Sequence, residues 1–524
     1  MKNYIYRKKT ESIALLISLF SVFFYRMFLS DTGMGYAAPA YLVCAFLWML
    51  LGEGLSEIVS KMIRARLAKG QKTNALNIVS VMMMNQFLGG VIGSVLCGFM
   101  TFYLMQGPFG LPKGRFLGFY LSVFFFFRMI NEYLTGYALS SSGEKAVCIA
   151  SVSRQLFRIV LGFILMSKMA AKGETAGHLL MDADMKYIYS AYGLFIGFCI
   201  AEFLVFAFLF IVRLGLKLKS NGNYESFANK DHAPEIFLNI WKKRLGEIVH
   251  GLSFSLFLIA WICTVSDPVS IGIAFSAIFI PFAIASGFAV LFGTASTANW
   301  AQSVRKNEKG NARAYYDFGT HIAIIAAVFV TSFFASVSKP FLRTVVPEHV
   351  SEVTTALILT AVASVFYAVA LFTDRICAMR DDRISRMIAD AVAALFAFLS
   401  VRITAGSDKG VYFTLTVSVI VYCLASMIVW CVIAYFRLSM FFDPLRNILI
   451  PVVSGAVTAI ILLIMTNAAA PHLGNLFTIL ICIPIGLIIY HSVLLLLRNY
   501  TEQELKLMPL GGALYSLGQI LKVM

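Results

Sequence analysis

The chain has 524 residues, 59% of them hydrophobic and only 13% charged, with a formal net charge of +16 and a mean hydropathy of +0.81. That composition excludes a water-soluble globular domain, which has no interior large enough to hide repeated apolar runs of ~18 residues or more, and it places the chain in a bilayer. Nine scattered cysteines without a CxxC pair argue against a disulfide framework or a metal cluster.

The basic start KNYIYRKK leads into an apolar run at 11–30 with no small-residue cleavage site, so it reads as a retained helix. Further apolar runs follow at 36–59, 76–104, 115–138, 147–167, 188–212, 245–265, 269–297, 314–337, 352–373, 385–403, 410–435, 447–468 and 475–497, which gives about fourteen spans. With the amino terminus inside, and with Arg115, Arg386 and Arg402 at the run ends counted with the adjoining intervals, the inside intervals hold 30 Lys or Arg and the outside intervals 9, while Arg26, Arg128, Arg154 and Arg158 lie deeper within apolar runs. This asymmetry predicts both termini in the cytoplasm, with the positive charge facing anionic lipid rather than nucleic acid.

The expected organisation is a first lobe at 1–213, a cytoplasmic linker at 214–244, a second lobe at 245–436, and two additional helices with a tail at 437–524. Within the linker, PEIFLNIWKKR reads either as an amphipathic segment or as an ordinary basic loop. Two basic intervals echo one another, each with a Lys-Gly pair, Lys69-Gly70 and Lys309-Gly310, as pseudo-repeated transporter lobes would.

A charge in hydrocarbon is costly enough to need a cavity, a partner or the headgroup layer. Arg26 lies at the end of the first helix, where it can snorkel or meet an anion. Arg128, Asn131 and Glu132 share one face of the fourth helix, and Arg154 and Arg158 share one face of the fifth. They form either a structural ion-pair network or a cationic site. Glu53 and Glu57 are four apart near the inner end of the second helix, placed to neutralise the arginines or to couple to a cation or proton; Glu202, Glu247 with His250, and Asp390 are isolated candidates. No GxxxxGK[ST] loop is present, so the chain reads as a transporter without an ATPase motif, not as an enzyme.

FYRMFLSDTGMGYAAPAY, GEGLSEIVSKMIRARLAKGQKTNAL, RMINEYLTGYALSSSGEKAVCIASVSRQLFRIVLG and the tail RNYTEQELKLMPLGGAL resemble, in order, segments of the bacterial stage V sporulation protein B group. That group lies within the multidrug, oligosaccharidyl-lipid and polysaccharide (MOP) exporter superfamily. The resemblance implies an all-α polytopic membrane protein with two pseudo-symmetric six-helix lobes and two C-terminal helices. It also implies a flippase that moves polyprenyl-diphosphate-linked sugars, lipid II among them, across a bacterial cytoplasmic membrane by alternating access. Arg26 matches the group's Tyr-Arg position and Arg158 its fifth-helix arginine. On this reading Arg26, Arg128, Arg154 and Arg158 meet the substrate, and Glu53, Glu57, Glu132 and Asp390 serve coupling or gating. No cofactor is expected; a Na+ or H+ gradient or the membrane potential would drive transport. Expected partners are the lipid-linked glycan, anionic lipids and cell-envelope biosynthesis proteins, with the chain itself a monomer. The competing expectations are a cation-coupled multidrug exporter of the same superfamily and a non-transporting scaffold for envelope or spore assembly.

Overall fold

The computed structural model describes residues 2–218, 231–407, 409–508, 511–521 and 523, and among these the regular structure is helical throughout, with no strand. Among the described residues, twelve helical stretches are long and apolar enough to cross a membrane. The first of them includes all the membrane-crossing part of α1 (Lys2–Leu51), a merged helix that breaks at Ser30 (φ 49°, ψ −170°) and so supplies two spans. A further span, α4 (Leu117–Ser140), stands outside the twelve because Arg128, Asn131 and Glu132 dilute its hydropathy. Dividing the one and adding the other gives the fourteen spans expected from sequence.

The chain divides into two compact units, Ile13–Gly272 and Ile273–Met524 together with Met1–Ser12. In the first, α1 is followed by the short α2 (Leu55–Ala68), then α3 (Lys72–Gln106), α4, α5 (Glu144–Leu180), α6 (Met185–Gly215) and α7 (Ala233–Val265). Its principal pairings are α5 with α6, α3 with α4, and α4 with α6, and α7 packs on α2 and α3. A core of Leu55, Val59, Ile63, Ile78, Met82, Leu134, Val205, Ile236 and Ile240 ties α2, α3, α4, α6 and α7 together. PEIFLNIWKKR is therefore helical and partly buried: it forms the opening turns of α7, with Ile236, Ile240 and Arg244 turned inward.

The boundary falls at the end of α8 (Pro268–Ile273), and the second unit runs from it through a π-helical turn, Ala274–Ile278, into α9 (Phe279–Arg305). There follow α10 (Lys309–Val345), α11 (Val350–Arg380), α12 (Arg383–Thr404), α13 (Val411–Ile433), α14 (Ile450–Leu473), α15 (Asn475–Leu496), α16 (Glu502–Leu507) and α17 (Gly511–Ile520). The central helix is α10, which packs on α9, α11, α14 and α15. Tyr490, Leu494, Tyr500, Leu505 and Leu514 fold the tail back against it.

The two echoed basic turns share backbone geometry, displaced from the Lys-Gly pairs. α2 ends at Ala68, Gly70 takes a positive φ of 76°, and α3 begins at Lys72; α9 ends at Arg305, Asn307 takes φ 60°, and α10 begins at Lys309. Glycine and asparagine tolerate that left-handed conformation best, so Asn307 rather than Gly310 occupies the position equivalent to Gly70.

Candidate functional site

Close approach of α5 and α6 builds the site. A Cβ on Gly197 would lie 2.7 Å from the backbone nitrogen of Gly162, and one on Gly193 would lie 2.5 Å from the Leu165 carbonyl oxygen. Only hydrogen fits at either position, so the backbones touch as small residues allow in membrane bundles. Gly162 lies one turn from Arg158 on α5, and Gly197 five residues before Glu202 on α6. The glycine seam thus sets those two side chains facing one another.

Glu202 is fully buried and is the hub. Its Oε1 accepts from an Arg158 terminal nitrogen at 2.6 Å and lies 3.0 Å from Arg154 Nε and 3.8 Å from a terminal nitrogen of Arg128. Its Oε2 accepts from Asn131 Nδ2 at 2.8 Å and from Arg154 Nε at 3.2 Å, while Asn131 also donates to the Glu202 carbonyl at 3.0 Å. A carboxylate carried into hydrocarbon persists when its lone pairs meet this many charged donors. The Arg158 guanidinium also lies over the rings of Phe124 and Phe198, at 5.0 and 5.2 Å.

Arg128 is the most accessible of the three arginines, its side chain 22% exposed against 13% for Arg154 and 9% for Arg158. It lies 4.5 Å over the Trp48 ring, and the Trp48 indole donates to Glu53 at 2.6 Å. A relay of contacts therefore runs from Glu202 through Arg128 and Trp48 to Glu53. Glu132, Arg128 and Glu247 lie within electrostatic reach of Glu53. The Glu132 Oε2 is buried with no hydrogen-bond partner, as is Arg158 Nε.

Arg244 closes the same end of α1. Fully buried, it donates to the carbonyls of Glu53 at 3.0 Å and Leu50 at 3.2 Å and lies 4.8 Å over the Trp241 ring. A cation at a helix C-terminus satisfies orphan carbonyls and complements the dipole.

Of the residues singled out from sequence, Arg128, Arg154 and Arg158 come together, with Glu53 and Glu132 beside them. Arg26 does not join them: it makes a forked pair with Asp31, at 2.8 and 2.6 Å, across the break at Ser30. Glu57 lies in the first turn of α2. Asp390, in the second unit, is buried four residues beyond Arg386, whose guanidinium makes a buried two-point pair with Asp374 at 2.5 and 3.2 Å. Sequence reasoning left Glu202 as an isolated acid and missed Trp48 and Arg244. For Arg244 the available signal was the spacing Trp241, Arg244, Glu247, which continues one helical face into the supposed loop.

No protein-family model matches the sequence, and no curated relative matches it. Solved structures do resemble the fold. An inward-closed lipid II flippase MurJ is 15% identical over 92% of this chain and 97% of its own, with a TM-score of 0.62. An inward-facing multidrug resistance MATE transporter of the MOP superfamily is 13% identical over 82% of this chain and 94% of its own, with a TM-score of 0.61. A MOP-superfamily transporter from Pyrococcus furiosus is 15% identical over 83% and 95%, at 0.58. The chain is a multi-pass, all-α membrane protein with the fold of the MOP-superfamily transporters.

Proposed function

We propose that the chain is a flippase for polyprenyl-diphosphate-linked sugars, of the stage V sporulation protein B type, working by alternating access in a bacterial cytoplasmic membrane with both termini inside. The observation that carries this reading is the convergence of three guanidinium groups from α4 and α5 on a single buried carboxylate. Glu202 is the one carboxylate in contact with all three guanidiniums, Glu53 and Glu132 stand beside them, and most of the fifteen or so N–H donors of the three arginines remain unspent among the described residues. Planar forks suit the oxygens of a diphosphate.

Glu202 acts as the internal counter-ion that keeps Arg154 and Arg158 extended and in register. Arg128, the most accessible and the least tightly bound to Glu202, makes first contact with the headgroup. Trp48 and Glu53 compete for Arg128 when the site is empty, which gives Glu53 a gating role. Arg26, already held by Asp31, stabilises the break in α1 and reaches an anion only by giving up that partner. A Na+ or H+ gradient or the membrane potential supplies the drive.

A second reading, export of cationic amphiphiles, is favoured by the glutamates gathered near Arg128 and Arg244, namely Glu53, Glu132 and Glu247. Equilibrium binding of a polyprenyl diphosphate and of an organic cation to the purified protein tests the choice. Saturable diphosphate binding weakened by Arg128→Gln supports the flippase; cation binding weakened by Glu53→Gln, with no diphosphate binding, rejects it.

A further inference from the structure

At the surface of the first unit a recess of about 160 Å³ opens between α3, α4 and α6. Its walls are mostly apolar, and Met83, Phe87 and Phe210 are exposed there, as lipid-facing side chains are. Three polar groups interrupt that lining. Gln86 is 1% exposed, and both its amide oxygen and its amide nitrogen lack a hydrogen-bond partner; the Tyr133 hydroxyl, also buried, lacks one as well. Arg213, in the last turn of α6, lies over the rings of Tyr133 and Tyr137 at 4.9 and 5.4 Å, and no ion pair holds it among the described residues.

In hydrocarbon an unsatisfied polar group costs several kcal/mol, so two of them lining one recess beside a guanidinium with no ion-pair partner among the described residues form a site that lacks its ligand. The charged member of the recess, Arg213, lies in the last turn of α6, where a helix end meets the headgroup layer. α3 has 35 residues, about 52 Å at 1.5 Å each, against a hydrocarbon core of about 30 Å, so its first turns extend beyond the bilayer.

We propose that this recess binds one anionic glycerophospholipid, with its phosphate on Arg213, its glycerol or headgroup oxygens on Gln86 and Tyr133, and an acyl chain along Met83, Phe87 and Phe210. Basic pockets between membrane helices select anionic headgroups in this way.

Native mass spectrometry and thermal unfolding of the purified full chain, in detergent with added phosphatidylglycerol, phosphatidylcholine or inorganic phosphate, test the site. The wild type retains phosphatidylglycerol in preference to phosphatidylcholine and gains several degrees in Tm from it. Arg213→Gln loses that preference, Arg213→Lys recovers part of it, and Gln86→Leu weakens retention of both lipids. Equal retention of the two lipids by the wild type, or an undiminished preference in Arg213→Gln, overturns the proposal. A Tm rise from inorganic phosphate equal to that from phosphatidylglycerol also overturns it, since the site would then take a free anion rather than a lipid.

Discussion

Arg158 donates to Glu202 at 2.6 Å from the helix next to it in sequence, and the carboxylate that receives the bond has no exposed surface. Replacing Glu202 with Gln leaves Arg154 and Arg158 facing one another in a buried site, where charges are poorly screened. Breaking a buried charge cluster by removing the carboxylate at its centre costs about 3–5 kcal/mol. A large drop in Tm on Glu202→Gln, measured in detergent, is the expected outcome; an unchanged Tm would mean that the cluster is already screened.

The glycine seam is as exacting as the charges it positions. Gly197→Ala places a methyl carbon 2.7 Å from the Gly162 nitrogen, and overpacking of this kind costs about 1–3 kcal/mol. The same substitution at Gly512, which has open space around it, is expected to be near neutral. Comparing unfolding of the two variants checks the assignment, and equal effects would contradict it.

Arg26 and Asp31 form a pair that serves the break in α1. A double-mutant cycle of Arg26→Gln and Asp31→Asn is expected to give a favourable coupling energy of about 0.5–3 kcal/mol in stability. A coupling of zero would free Arg26 for the substrate and restore it to the centre of the site.

Lys113 bridges Asp182 at 2.8 Å and Asp184 at 2.8 Å, joining the α3–α4 connection to the α5–α6 connection. The hydrogen bond from Lys113 holds the Asp182 carboxyl below its ordinary range, against partial burial. Because the folded-state pKa is depressed, the contribution of Asp182 is fully present above the ordinary carboxylate value of about 3.9 and is lost as pH falls through the lower folded value. Amide protection at 181–184 is therefore expected to hold constant from pH 8 to about pH 5 and to fall only below about pH 4. Loosening near pH 6 would point to a different group.

Much of this was legible in the sequence. The lengths of the apolar runs identified the spans, and the i,i+3 and i,i+4 spacings of Arg128, Asn131, Glu132, Arg154 and Arg158 put them on common faces. Spacing along one helix says nothing about a partner on another, so Glu202 looked isolated although it receives all three arginines. Arg244 was hidden because WKKR has the charge of a loop, while the apolar face of Ile236 and Ile240 carries the helix through it. The Arg26 pair depends on a break at Ser30, a residue without the usual signature of a positive φ.

The most direct test of the arginine cluster as a headgroup site is transbilayer movement of a polyprenyl-diphosphate sugar in defined vesicles, comparing the wild type with Arg128→Gln. Arg128 lies 3.8 Å from Glu202, beyond hydrogen-bonding distance, so this variant keeps the two tighter pairs and its Tm. Loss of a charge-assisted contact worth about 1.5–3 kcal/mol predicts flipping roughly ten- to a hundredfold slower at unchanged Tm. Flipping at the wild-type rate by folded Arg128→Gln protein, or none by the wild type with any polyprenyl diphosphate, would contradict the account.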